Sequence, residues 1–197
     1  LEGLAPLESL PIQQLIGAHG PPLAGEAEIA RVIEDYSDSI RFIWDQTVRG
    51  INQGLTLDEL AGSVCLPERF KRTYFTRQFY GVVEHHVRQI HAGLFGWFDE
   101  DVAKLFPLEP YERAQKLVNG FGGLDAVRQE FDQALQNADY RWALELSDWL
   151  VRVSQDAADQ NRQATALRAV AQRTTSANIR NWCTTKALEL DGLLNLD

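Results

Sequence analysis

The chain has 197 residues, 45% of them hydrophobic and 24% charged, with a formal net charge of −9. That length and ordinary globular composition suffice to bury a hydrophobic core, which excludes disorder for the body of the chain. The 19 Lys and Arg are dispersed among 28 Asp and Glu, which argues against a nucleic-acid partner, and no apolar run approaches the roughly 18 to 20 residues of a membrane span.

The chain starts at Leu1 and contains no Met, so it is expected to be a processed or excised piece of a longer protein; that it shows no basic-then-apolar leader therefore says nothing about the parent. From Leu1 to Gly25 it is punctuated by Ala5-Pro6, Leu10-Pro11 and Gly20-Pro21-Pro22, which forbid a continuous helix. Gln13 to Ala18 is mostly apolar and short, and reads as a strand feeding a loop at Ala18-His19-Gly20.

From Glu26 the pattern turns helical. Ile29, Val32, Ile33, Tyr36, Ile40, Ile43 and Thr47 recur at the spacing of one helix face, predicting a helix to about Arg49 that stops near Gly50 or Gly54. Thr56-Leu57-Asp58-Glu59 has the form of a capping box and opens a short helix ending before Pro67. A helix from about Glu68 follows, then a longer one from about Gln78 to Gly93 with Phe79, Val82, Val83, His86, Val87 and Ile90 on one side. Leu94 to Pro110 is rich in aromatic and proline residues and predicts an extended loop around Trp97, Phe98 and Phe106.

Helices resume at about 110–120, 123–137, 139–154, 157–173 and 176–190, with Asn119-Gly120 and Gly122-Gly123 as stops between the first two. The small residues Ala134, Ala143, Ala157, Ala169 and Ala171 suggest antiparallel pairs stacked as in tetratricopeptide repeats, although no clean repeat period is visible. The expected fold class is therefore all-α: an antiparallel helical array with tetratricopeptide-like stacked pairs, preceded by a short non-helical N-terminal extension.

Little in the chain carries chemistry by itself. The cysteines, Cys65 and Cys183, lie outside any CxxC pair and read as buried free thiols. The four histidines, His19, His85, His86 and His91, form no HxH or HExxH motif, so no complete metal site can be built from neighbours in sequence. His19 follows the candidate strand, where a metal ligand would be fixed by the strand and open to substrate; a lone loop histidine is otherwise idle. His86 shares the predicted apolar face and reads as a hydrogen-bonded core histidine, with His85 at the surface. Tyr74, Phe75, Phe79, Tyr80, Trp97 and Phe98 read first as core packing, with Tyr80, beside Gly81, as the hydroxyl that would face a pocket. No carboxylate pair, Ser-His-Asp or Cys-His arrangement, or phosphate-cradling glycine loop is present.

Five segments, in order, resemble one family. The run Trp44-Asp45-Gln46-Thr47-Val48-Arg49-Gly50-Ile51-Asn52-Gln53-Gly54-Leu55-Thr56 is similar to the HDQTLRLxNxGLT stretch of alkylsulfatase dimerisation domains. Arg77-Gln78-Phe79-Tyr80-Gly81 resembles their RxYYG, and Leu94-Phe95-Gly96-Trp97-Phe98-Asp99 their YLGWYDG. Gly122 to Val127 resembles a GGADAV element and Ala138 to Ala143 the start of GDYRWAAEL.

Such enzymes are zinc hydrolases of the metallo-β-lactamase superfamily that cleave sulfate esters of long-chain alcohols. The resemblance implies that residues 1–25 are the tail of the catalytic domain, with His19 as its last zinc ligand, and that 26–197 form the helical dimerisation domain. It also implies a homodimer, an upstream zinc catalytic domain, a downstream sterol-carrier-like domain, and Tyr80 as an active-site tyrosine near the sulfate. The expected setting is bacterial and soluble, periplasmic or cytoplasmic.

The chain also departs from the pattern. The HxHxDH cluster and the bridging glutamates are absent, and one histidine cannot hold the zinc that would lower the pKa of an attacking water, so the fragment alone is expected to bind zinc at most weakly and to be inactive. Glu84-His85-His86 replaces a His-Asn pair, and Asp99-Glu100-Asp101-Val102-Ala103 replaces a DGNPA turn. The alternative expectation is a stand-alone helical-repeat module that binds a protein without catalysis; a small helical enzyme lacks any catalytic constellation to support it.

Overall fold

In the computed structural model, which describes residues 2–194, the N-terminal prolines limit the helix to one turn, α1 (Ala5–Glu8), with Pro6 in its first turn. A small hairpin follows. Strand β1 (Gln14–Leu15) pairs antiparallel with β2 (Leu23–Ala24), Gln14 opposite Ala24 and Leu15 opposite Leu23. The Gly25 N–H donates to the Gln13 carbonyl at 2.9 Å, and Gly25, at φ +96°, turns the chain into α2 (Glu26–Asn52).

Helix α2 buries Ile29, Val32, Ile33, Ile43 and Thr47, the face its apolar spacing predicts, while Tyr36 from the same stripe is 42% exposed. It stops at Asn52, with Gly54 rather than Gly50 making the terminating turn. The Leu55 N–H donates to the Gly50 carbonyl and the Gly54 N–H to that of Ile51, closing a Schellman turn that needs the positive φ of Gly54. Gly50 stays helical and has another use, because a Cβ there would overlap Leu60 Cδ1.

Helix α3 (Leu57–Ser63) opens with the predicted capping box: Thr56 accepts from the Glu59 N–H, and Glu59 Oε2 accepts from the Thr56 N–H at 2.9 Å. Thr56→Ala is expected to cost about 1 kcal/mol, measured as a lower midpoint in urea unfolding, because it strands a first-turn donor. An unchanged midpoint would show the box to be dispensable.

Helices α4 (Glu68–Arg72) and α5 (Val83–Phe95) complete this part of the chain. Residues Ile43, Leu60, Ala61, Leu66, Phe70, Val83 and Val87 form its main core cluster. Arg69 donates to buried Asp35 on α2 from both Nε (2.8 Å) and Nη2 (2.6 Å), fixing α4 against α2.

Three expectations are corrected here. Helix α5 begins at Val83, not Gln78, because Val82 is extended and the Gln78 side-chain carbonyl accepts the Val83 N–H at 2.7 Å from outside the helix. The inward stripe then runs Val83, Val87, His91, so His91 is the buried histidine and His86 is exposed. Of the two thiols only Cys183 is buried; Cys65 lies exposed just beyond α3.

The segment after α5 is largely a loop, as predicted, with one 3₁₀ turn at Val102–Lys104. Buried Asp99 organises it, accepting from Lys104 Nζ at 3.1 Å and from the Leu57 N–H at 3.3 Å. Burial pushes the Asp99 carboxyl up, but Lys104 and the backbone donors outweigh it, leaving the pKa below the ordinary value. Glu100 beside it sits at φ +64°, a conformation glycine adopts without strain. The aromatics of this segment do not become core: Trp97 is 75% exposed and Phe106 97%.

The chain divides into two units, one running to Leu105 and the other beginning at Phe106. The second holds α6 (Pro110–Phe121), α7 (Leu124–Gln136), α8 (Tyr140–Val153), α9 (Ala157–Ala171) and α10 (Ala177–Leu190), each within a few residues of its predicted span. Every helix packs on the next in sequence, and α8 packs on α6 as well. Val118, Val127, Phe131, Ala134, Ala143, Leu146, Leu150 and Ala166 form the main cluster, while Ala164, Leu167, Ala171, Cys183 and Ala187 join α9 to α10. Gly122 ends α6 in the left-handed conformation, as the glycine pair predicts, and Ala138 adopts the same conformation after α7. No helix among the described residues is long and apolar enough to cross a membrane.

Candidate functional site

The hairpin presents Gly17-Ala18-His19-Gly20-Pro21 at its tip, and Gly20 decides where that tip goes. Its φ is +99°, and a Cβ at this position would stand only 3.3 Å from ring carbons of both Tyr74 and Phe75. The missing side chain lets the backbone lie directly on the aromatic segment before α5. A larger residue there would be strained and would have to displace those rings.

This close approach walls a cavity of about 420 Å³. Its sides are Leu4 and Leu7 near α1, Leu15 and Leu23 of the hairpin, Val32, Ile33 and Tyr36 of α2, and Tyr74, Phe75, Arg77, Phe79 and Tyr80. Tyr74 packs on Phe75 and Phe79 at ring separations of 5.2 and 5.1 Å. These aromatics serve as a wall rather than as core, since Tyr74 is 47% and Tyr80 57% exposed. That corrects the expectation of core packing for the cluster. Trp97 and Phe98, also counted in it, pack on each other at 5.5 Å.

Both sequence-predicted site residues come together here. The His19 and Tyr80 rings lie 5.2 Å apart at a 34° tilt, although one comes from the hairpin and the other from beyond α4. The helix histidines behave differently. His85 is exposed, and His86 lays its ring over Gly81, where burial and then the neighbouring His85 lower its pKa although the residue remains solvent-accessible. His91 is buried against Phe95 at 5.6 Å, with its Nδ1 unpaired among the described residues.

The residues present do not by themselves fit a metal ion: among the described residues no three His, Cys, Asp or Glu side chains gather. His19 can supply one donor. Sequence reasoning missed Tyr36 and Arg77 as cavity residues. Tyr36 was hidden in a regular apolar stripe, and Arg77 stood in the run that resembles RxYYG, where only Tyr80 drew a site reading.

The chain is similar to known proteins along most of its length. The family model for alkyl sulfatase dimerisation matches residues 56–192. A linear primary-alkylsulfatase from Pseudomonas sp. is 38% identical over 185 residues, covering 93% of this chain and 35% of the relative. The alkyl/aryl-sulfatase BDS1 of Saccharomyces cerevisiae is 34% identical over 137 residues, 70% of this chain and 21% of the relative. The solved structure of the stereoselective inverting sec-alkylsulfatase Pisa1 from Pseudomonas sp. superposes with a TM-score of 0.88 at 30% identity, over 93% of this chain and 29% of that one. The chain thus spans about a third or less of the length of these relatives. With the family model covering most of its length, the chain belongs to the alkyl sulfatase dimerisation family.

Proposed function

We propose that this chain is the dimerisation and active-site-lining segment of a zinc-dependent alkylsulfatase-like hydrolase that cleaves sulfate esters of alkyl alcohols. Residues 1–25 are then the end of a metallo-β-lactamase-like catalytic domain, and 26–197 the helical domain that pairs with a second copy. The supporting observation is the meeting of His19 and Tyr80 on one largely apolar cavity. His19 acts as one ligand of a zinc site whose other ligands lie upstream, and Tyr80 faces the sulfate end of the substrate. The packing of α7 on α8, α8 on α9 and α9 on α10 supports reading these last four helices as tetratricopeptide-like pairs. The likeness to alkylsulfatases along most of the chain favours this reading over a stand-alone repeat module.

In the full-length protein, His19→Ala is expected to lower zinc content, measured by atomic emission, and to abolish alkyl sulfate hydrolysis while leaving helical circular dichroism intact. Tyr80→Phe should keep the zinc and lower kcat/KM roughly tenfold to a hundredfold, the value of one hydrogen bond to a charged group. Full zinc and full activity in the His19 variant would sink the ligand assignment. Light scattering that finds a monomer at micromolar concentration would sink the dimer.

A further inference from the structure

Charge is distributed unevenly around the cavity. The chain carries a net charge of −9, yet among the described residues no Asp or Glu lines this space, and Arg77 is its one lining arginine or lysine. Arg77 is also held in place. Its Nε donates to the Lys71 carbonyl at 3.3 Å, and its guanidinium carbon stands 6.0 Å from the centre of the Phe79 ring. Its two Nη groups make no hydrogen bond or ion pair among the described residues. Arg69, by contrast, spends its guanidinium on Asp35.

A guanidinium anchored at Nε with both Nη groups open presents a planar fork of donors suited to two oxygens of one tetrahedral anion. The surrounding wall is apolar: Leu15, Leu23, Val32 and Ile33 supply hydrocarbon and no charge. Arg77 itself is exposed, so water screens part of its charge, but no carboxylate on this wall competes with an incoming anion for its guanidinium.

We infer that Arg77 is an anion-binding residue of this cavity, holding the negatively charged head of an amphiphile whose hydrocarbon tail lies against the apolar wall. This rests on the function proposed above and deepens it, by naming the residue that selects the ionic head. Hydrolysis yields an alcohol and sulfate; Arg77 would then discriminate the charged ester from the uncharged alcohol, so that the alcohol leaves more readily than substrate, while the sulfate keeps the charge that Arg77 attracts.

The test is a pair of binding measurements on the full-length protein, using decanesulfonate, which carries the anion on a non-hydrolysable C–S bond, and decanol, which shares the tail. Arg77→Gln is expected to weaken decanesulfonate binding roughly tenfold to a hundredfold and leave decanol binding unchanged, with Arg77→Lys intermediate because it keeps the charge and loses the fork. Equal weakening of both probes would show a structural role for Arg77, and no weakening of either would show no role; each result overturns the inference. Decyl sulfate hydrolysis by the wild-type protein is followed in parallel. Sulfonate binding that depends on Arg77 without hydrolysis would remove the proposed activity and keep the anion site. Hydrolysis with binding indifferent to Arg77 would do the reverse.

Discussion

Asp159→Ala is expected to destabilise the C-terminal unit by about 3 kcal/mol, at the lower end of the cost of breaking a buried ion pair. The Asp159 side chain is fully buried at the start of α9, where Arg128 of α7 reaches it from Nε (3.0 Å) and Nη2 (2.6 Å), and Arg162 adds a contact at 3.1 Å. Removing the carboxylate leaves two guanidinium groups without their shared partner. The lower end applies because Arg128 is 23% exposed and keeps Asp125 at 2.9 Å, so it can partly rehydrate. Urea unfolding followed by helical circular dichroism measures the loss; a change below about 0.5 kcal/mol, the range of ordinary surface substitutions, would show the cluster to be incidental.

The same cluster sets a pH dependence with a definite sign. Burial pushes the Asp159 carboxyl up, but hydrogen bonds from Arg128 and Ser154 and the charges of Arg128 and Arg162 outweigh it, so its folded pKa lies below the ordinary value. A carboxyl with a depressed folded pKa adds stability that is present above its unfolded pKa, near 4, and is lost as pH falls through the folded value. The wild-type chain should therefore lose stability below about pH 4, and Asp159→Asn should flatten part of that loss. Parallel pH profiles for the two proteins would refute this assignment.

Leu60→Ala is expected to cost about 2–5 kcal/mol in the N-terminal unit, since Leu60 is 1% exposed and part of the α2–α3–α5 core. Gly50→Ala alone should also destabilise, by about 1–3 kcal/mol from overpacking against Leu60, offset by nearly 1 kcal/mol of better helix propensity. Together the two changes should cost less than their sum, because the methyl added at position 50 enters space that the Leu60 side chain has vacated. A double-mutant cycle by chemical denaturation measures the coupling. Strict additivity would show that the two residues do not share that space.

How much of the fold is legible in the sequence follows from which interactions are local. The capping box at Thr56, the glycine that ends α6, and the apolar stripe of α2 involve residues a few positions apart, and each appears as predicted except for the exposed Tyr36 of the stripe. Helix α5 shows where local reasoning stops. Its apolar spacing suits an earlier start, but the Gln78 side chain captures the Val83 N–H, and the histidine that turns inward is His91 rather than His86. The aromatic cluster marks the same limit, since composition cannot tell a cavity wall from a core.

For the site, the sequence determined the candidates, through the motif resemblance and the loop position of His19. It also determined the helical class, because a 3.6-residue period and its stops are written in neighbouring residues. Only the tertiary structure decided that His19 and Tyr80 share a cavity, that Tyr36 and Arg77 line it, and that no carboxylate among the described residues does. Those facts depend on Gly20 lying against Tyr74 and Phe75, a contact between segments far apart in the chain. No periodicity or spacing records such a contact, because it is fixed by how the hairpin seats on packed helices.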